Sequence, residues 1–449
     1  MTKENDLAVN TPKLSTQPYK GTRDFYPEDL RVRRWTFERL RVCLQSMGYH
    51  EYDGPMMEPL ELYAAKTSDE IVKEQLYHMT DRGGRAIALR PEMTPTLARM
   101  VAAKVNELPK PIRWFSIPNL WRYERPQKGR LREHWQLNVD LFGGDASAED
   151  LEILLVITEV MAAFGATAEK GFYEVRVNHR KLSDHLFKNY IGLEETQNKK
   201  FGQLLDAAPK MDREKFILAL KEISLSDEQI QKSLSLLSAE ALENIFKNHL
   251  EDQPEFQDLK KTFSILEKLG VKSAFRFDPS IMRGFMYYTG LIFEVFDCHP
   301  ENRRALFGGG RYDNLVGLFG GAALPGIGFG MGDVTFAHFL EVHDLLPNFT
   351  EKKGVYICAL DEACLEETQN LARKIRCGLG FGTPVVAGLH AEKPRKGFTT
   401  AERQGLRHVV FLGPDDLAKN IYPMKDTLDG KQVSGSPEEL AKELLGLNS

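Results

Sequence analysis

One stretch limits the folds open to this chain more than any other: Asn119–Gly143, which reads NLWRYERPQKGRLREHWQLNVDLFG. It opens on Leu120-Trp121, turns cationic at Arg122, Arg125, Lys128, Arg130 and Arg132, and returns to apolar alternation at Trp135, Leu137, Val139 and Leu141. Alternation with a period of two on either side of a Pro-Gln-Lys-Gly segment predicts two antiparallel strands joined by a long cationic hairpin. Residues two apart in a strand point to one face, so Arg122 is expected beside Glu124, and Gln136 beside Asp140. A cation, carboxylates and an amide on one pleated surface, beneath an arginine-rich loop, suit a ligand with phosphate and polar groups. The plainer alternative is a solvated hairpin with ordinary surface ion pairs; the rest of the chain decides between them.

A chain of 449 residues exceeds one ordinary core, which predicts two or three domains. An apolar content of 42% with 27% charged residues excludes a disordered or fibrous chain. The net charge of -5 excludes a generally basic nucleic-acid coat, yet leaves room for local basic patches. No apolar run approaches a membrane span, so no membrane partner is expected. Met1–Gln17 is polar, mixes both charge signs and has no apolar centre, so residues 1–18 are expected to be a flexible tail rather than a targeting signal. The five cysteines (43, 298, 358, 364 and 377) lack CxxC spacing and fit reduced thiols in a cytoplasmic protein. The eleven histidines show no zinc-binding pattern, so no metal ligand is assigned to a protein side chain.

Along the chain, order is expected from Tyr19. Arg31–Gly48 has helical periodicity and ends on a glycine. Ala86–Leu89 reads as a strand, followed by Arg90-Pro91-Glu92-Met93-Thr94 opening a helix, where Glu92 and Thr94 could be caps or ligands. Ala148–Phe164 reads as a helix and Phe172–Asn178 as a strand; residues 192–261 read as a charged helical insertion. Strand patterning returns at Ala274–Phe277 and Leu291–Phe296. Gly326-Ile327-Gly328-Phe329-Gly330-Met331-Gly332 then predicts a strand stripped of side chains on one face, which a flat group could approach closely. No GK[ST] and no GxGxxG accompanies these glycines, which excludes a Walker loop and a dinucleotide fingerprint. After a polar linker, Pro347–Lys353, strand and helix alternate in a compact α/β domain of about a hundred residues.

Taken together, GTRDFYPED, LRPEMTPT, the central hairpin, RGFMYYTG (283–290) and FGGGRYDNLVGLFGG (307–321) resemble histidyl-tRNA synthetases in order and spacing. The resemblance runs from about Tyr19 to about Leu445. It implies an α+β fold, with a class II synthetase antiparallel sheet flanked by helices over 19–345, a helical insertion at about 192–261, and an anticodon-binding α/β domain over 352–449. It implies ATP as substrate with Mg2+, L-histidine, tRNA(His), and a homodimer. By match, Arg122 and Arg283 would meet the α-phosphate and Glu124 the adenine end, with Gly330 and Gly332 beneath ATP. Glu92, Thr94 and Gln136 would bind the α-amino group, while Asp140, Tyr287, Tyr288 and Tyr312 would form the imidazole pocket. Arg125, Gln127 and Lys128 would approach the acceptor end of tRNA, and Lys396 and Arg403 its anticodon. Because the substrate's own carboxylate is the nucleophile, no catalytic Ser, Cys or His is required.

Thr335 stands where the family usually carries an arginine for the γ-phosphate. Arg130 and Arg311 are the expected substitutes, with Arg130 favoured because a loop can fold over ATP. Two functions fit the resemblance: an active ligase, and a histidine-sensing paralogue like the regulatory subunit of ATP phosphoribosyltransferase. That paralogue normally lacks the C-terminal module and most adenylate-forming residues. A scaffold protein, the third possibility, leaves the charged groups around the glycine-rich strands unexplained.

Overall fold

The computed structural model describes residues 14–64, 74–127, 129–282, 288–302, 305–313, 315–320, 323–349, 352–380 and 382–446. The chain divides into two compact units, Met1–Leu346 and Pro347–Ser449.

In the first unit, α1 (Pro27–Ser46) starts with Pro27 in its first turn beside Glu28 and Asp29, and buries Thr36, Leu40 and Leu44 at helical spacing. The chain then leaves the helix through Gly48, whose φ of 81° suits glycine. Strands β1 (His50–Glu51), β2 (Met57–Pro59), β3 (His78–Thr80) and β4 (Ala86–Leu89) follow, with α2 (Leu60–Ala64) between β2 and β3. Next come α3 (Thr94–Ala103), β5 (Ile112–Ser116), β6 (Asn119–Trp121), β7 (Glu133–Phe142), α4 (Ala146–Ala162) and β8 (Tyr173–His179). Beyond the helical segment lie β9 (Phe275–Phe277), β10 (Leu291–Asp297), β11 (Ala305–Arg311) and β12 (Gly326–Gly332).

Among the described residues nine of these strands build one sheet in the order β1-β5-β7-β12-β11-β10-β8-β9, with β6 along β7, while β2, β4 and β3 pair in a small sheet of their own. Its interior pairs are antiparallel, and parallel pairs occur at β1–β5 and β8–β9. Register sorts the residues by parity. Leu137, Val139, Leu141, Ile327, Phe329 and Met331 enter the main core together with residues of α1 and α4. The other face carries Gln136, Asn138 and Asp140 opposite Gly332, Gly330 and Gly328. Burying one such apolar side chain contributes on the order of 1.5–3 kcal/mol. A one-residue slip of β12 would turn three of them outward, so the core holds the polar face in register.

The helical segment keeps its own core, and that core begins earlier than residue 192: Leu182, Leu186, Phe187 and Ile191 pack with Phe201, Leu205, Phe216 and Leu220. The second unit is a five-stranded sheet flanked by helices. Strands Val355–Ala359, Val385–Ala387 and His408–Leu412 are parallel, and Tyr422–Asp426 and Gln432–Gly435 add an antiparallel hairpin. The alternating reading missed that hairpin, although Asp429-Gly430 between apolar runs is a strong turn signal, and Gly430 has a φ of 75°. All five cysteines are free thiols. Among the described residues no helix is long and apolar enough to cross a membrane.

Candidate active site

The central hairpin is sewn to the LRPEMT turn. The Trp121 N–H donates to the Arg90 carbonyl at 3.0 Å, and Arg122 Nε donates to the Pro91 carbonyl at 2.8 Å. Arg90 is itself buried, donating to Asp53 at 2.8 Å and to the Gly54 carbonyl at 2.7 Å. The helix α3 begins at Thr94 with Met93 as its N-cap and no side-chain cap, so a capping role does not account for Glu92 and Thr94. Glu92 directly follows Pro91, whose carbonyl receives Arg122.

Two details depart from the sequence reading. Strand β6 stops at Trp121, so Arg122 and Glu124 do not share a strand face; the Glu124 N–H donates to the Arg122 carbonyl at 2.7 Å in a tight turn. Arg132, expected among the cations of the hairpin loop, is 9% exposed. Its guanidinium donates to the Tyr19 hydroxyl at 2.7 Å and lies 4.0 Å from the Tyr123 ring centroid. This arginine fastens Tyr19 to the hairpin. Gly21 permits it, because a Cβ there would fall 2.8 Å from the Arg132 side chain.

Arg122, Glu124, Gln127 and Arg130 form one wall of a cleft of about 780 Å3. Its floor is His134 and Gln136 of β7 with Gly330 and Gly332 of β12, and the first residues of the helix Asp333–Val342 close the far side. Burial, then Arg122 and Arg23, push His134 down to about 3, so it is neutral at physiological pH. Arg130 is exposed and lies 3.9 Å from the Glu124 carboxylate; Arg125 and Gln127 are exposed beside it. Thr335 lines the opposite wall, its hydroxyl donating to the Leu306 carbonyl at 3.0 Å.

Three acidic groups of this cleft escaped the sequence reading: Glu294, Asp206, and Asp333, which is paired with Arg23 at 2.7 Å. Glu294 of β10 stands opposite Gly308, on the glycine face, and was legible as the one charge between apolar residues of LIFEVFD. Asp206, from the helical insertion, was not legible, because nothing local marks which solvated helix face turns inward.

Beyond the cleft the same sheet face continues into a buried polar pocket. The space left by glycine is filled here by side chains rather than left bare. A Cβ on Gly328 would lie 2.8 Å from the Tyr312 hydroxyl, one on Gly330 2.9 Å from the Gln136 amide, and one on Gly310 2.8 Å from the Tyr288 ring. Each glycine thus makes room for one expected pocket residue. Asp140 is 4% exposed and accepts a short hydrogen bond from Tyr312. Burial pushes its carboxyl up to about 7, against the opposing effect of the Tyr312 hydroxyl.

Arg311 is not part of this surface. It follows the site-facing Gly310 by one residue, so parity sends it through the sheet. There it is 4% exposed, donating to Asp150 at 2.6 Å, Glu149 at 3.0 Å and the Ala146 carbonyl at 2.8 Å. Burial pushes Asp150 up to about 6, and the guanidinium is what holds it from rising further. The expected role of Arg311 on ATP is therefore corrected: its guanidinium is committed to the α4 N-terminus. Lys128, Arg283 and Tyr287 lie outside the described residues.

A family model described as Histidyl-tRNA synthetase matches residues 21–333, and one described as Anticodon binding domain matches 354–447. The chain belongs to the histidyl-tRNA synthetase family. The histidine–tRNA ligase of Leptospira biflexa is 43% identical over 96% of this chain and 98% of that protein. That of Thermococcus kodakarensis is 35% identical over 95% and 98%. The crystal structure of histidyl-tRNA synthetase from Nostoc sp. PCC 7120 shares the fold with a TM-score of 0.80, at 24% identity, over 97% of this chain and 100% of that one. A Bacillus halodurans structure titled as ATP phosphoribosyltransferase regulatory subunit/histidyl-tRNA synthetase shares it at 0.68, with 22% identity, over 83% and 93%.

In the second unit, which carries the family's anticodon-binding match, Lys393, Arg395, Lys396 and Arg403 are exposed on or beside the helix Pro394–Arg403. Lys396 lies 3.3 Å from the buried Glu392, and Arg407 is drawn away to Asp426 at 2.8 Å.

Proposed function

We propose that the chain joins L-histidine to tRNA(His) in two ATP-driven steps. The histidine carboxylate attacks the α-phosphorus of ATP, pyrophosphate leaves, and the acyl group of the adenylate passes to the terminal ribose with release of AMP. In this reading Arg122 and Arg283 stabilise charge on the α-phosphate, Glu124 holds the adenine end, and Gly330 and Gly332 let the nucleotide lie against the sheet. Glu92, Thr94 and Gln136 receive the α-amino group. Asp140 accepts an imidazole N–H, with Tyr287, Tyr288 and Tyr312 around the ring. Magnesium enters with ATP, and the cleft carboxylate Glu294 is an oxygen donor of the type it accepts. Arg125, Gln127 and Lys128 approach the acceptor end, while Lys396 and Arg403 serve the anticodon loop.

The observation that supports this reading most is one continuous sheet face. It carries a buried carboxyl at Asp140, a glycine-lined strand, and a cleft with Arg122 and Arg130 at its mouth. A pocket for a small polar side chain and a place for a polyphosphate are thus adjacent. The histidine-sensing alternative is less favoured, because Arg122, Glu124 and the C-terminal unit are all retained. Histidine-dependent ATP–pyrophosphate exchange tests the reading. Exchange should require histidine and fail with the other amino acids; exchange without histidine dependence would refute it.

A cytoplasmic homodimer completes the proposal, since two-fold pairing is the common solution for soluble oligomers and the family implies it. Light scattering at micromolar concentration should give twice the chain mass, and a single species near 51.0 kDa would refute the dimer.

A further inference from the structure

Asp140 is bracketed by the two strands that flank β7. On the β12 side the Tyr312 hydroxyl donates to Asp140 Oδ1. On the β5 side, Trp114 stands opposite Asp140 and Ser116 opposite Asn138, so Ser116 lies diagonally from Asp140 on the same face. Tyr52, just after β1, is fastened there: its N–H donates to the Phe115 carbonyl at 2.9 Å, and its ring lies 5.4 Å from that of Trp114. Tyr52, Trp114 and Tyr288 all pack against the apolar cluster that contains Tyr312 and Phe142. Tyr52 and Ser116 therefore belong to the same pocket wall as the expected residues.

Their hydroxyls are unusual. Ser116 is 0% exposed, and the buried Tyr52 and Ser116 hydroxyls meet only one another, Ser116 facing the phenol as donor. A phenol that accepts from Ser116 keeps its own O–H to donate, and a buried donor left unused costs about 1–3 kcal/mol that phenylalanine would avoid in the same space. The phenol of Tyr52 is held well above its usual range, by burial first and by the Asp140 charge second, so the two groups interact electrically. Two other charged groups bear on Tyr52, the ion-paired Asp53 and Arg90. Tyr49 also feels the Asp140 charge, more weakly than that of Glu152.

We propose that Tyr52, backed by Ser116, is a positioning residue for Asp140: its hydroxyl is stationed to donate to the carboxylate oxygen that Tyr312 leaves free. A carboxylate served by two hydroxyls is held ionised and aimed, and so presents an acceptor to the imidazole N–H. Apo-state hydrogen bonds of this kind commonly tighten only when substrate arrives. The inference rests on the reading of Asp140 as the imidazole acceptor.

The test is histidine-dependent exchange by the full-length protein and its Tyr52→Phe and Ser116→Ala variants, from about pH 5.5 to about pH 8.5. Tyr52→Phe should raise the histidine KM roughly tenfold near neutral pH, with kcat and the ATP KM little changed. Its acid limb of kcat/KM for histidine should move up by about one pH unit, because Asp140 protonates more readily without the second donor. Ser116→Ala should move the limb in the same direction by less. Acid limbs that superimpose on the wild type would overturn the proposal, even if the variants melted earlier. If Tyr52→Phe does not fold, Ser116→Ala decides alone, and an unmoved limb overturns the proposal. A wild-type protein without histidine-dependent exchange would instead sink the reading of the site itself.

Discussion

Asp140→Asn should raise the histidine requirement of exchange on the order of ten thousandfold, and should at the same time make the ligand-free protein harder to melt at neutral pH. The loss follows from the pocket. An imidazole N–H that meets an amide instead of a carboxylate loses a charge-assisted acceptor in a buried site, and discrimination of this size is typical where buried polar groups are left mismatched. The gain follows from linkage. The folded pKa of about 7 lies above the ordinary 3.8, so burial favours the protonated form. That preference stabilises the fold fully below the unfolded pKa and is lost as pH rises through about 7. Above that, the folded protein carries an ionised carboxyl at a disadvantage of about 1.4 kcal/mol for each pH unit of displacement. Asparagine removes the charge while still accepting from Tyr312, so several degrees of melting temperature should return. By the same titration, wild-type kcat/KM for histidine should fall as pH drops below about 7. A variant with unchanged histidine dependence would remove Asp140 from the pocket; one that loses histidine and melts earlier would show that its carboxylate is a fold element.

The opposed signs explain why some of this site was legible in the sequence and some was not. Alternation made β7 readable, because Leu137, Val139 and Leu141 must reach the core and thereby send Gln136 and Asp140 the other way. Gly326–Gly332 was readable as a strand for the same reason, with Ile327, Phe329 and Met331 as its core half. What its glycines were for was not readable, since the side chains that fill their space come from 136, 140, 142 and 312. Glu124 was assigned the right cleft for a wrong reason, because a local turn replaces the strand it was expected to sit on. Tyr52 and Ser116 carry no motif: only tertiary packing beside Trp114 puts their hydroxyls near a carboxylate.

Arg311 shows the opposite error, a residue chosen for its charge and its neighbouring glycines although parity already excluded it. The correction leaves Arg130, exposed at the cleft mouth with only a 3.9 Å contact to Glu124, to meet the outer phosphates of ATP in place of the arginine absent at Thr335. Arg130→Ala should weaken ATP use in exchange roughly a hundredfold, as loss of a charge-stabilising donor does in a partly dry site. Melting should hardly change, since Arg130 is largely exposed and its Glu124 contact is long, at 3.9 Å. Arg311→Gln should do the reverse. It strands Glu149 and Asp150 in a buried site and should cost about 3–5 kcal/mol of stability, with the ATP KM of the surviving folded protein unchanged. Thr335 lines the wall across from Arg130, so adding Thr335→Arg to Arg130→Ala brings a guanidinium into the same cleft from the helix side. That double variant should recover part of the lost ATP use. Full exchange activity in Arg130→Ala would assign the loop arginine to tRNA alone, and a raised ATP KM in Arg311→Gln would return Arg311 to the nucleotide.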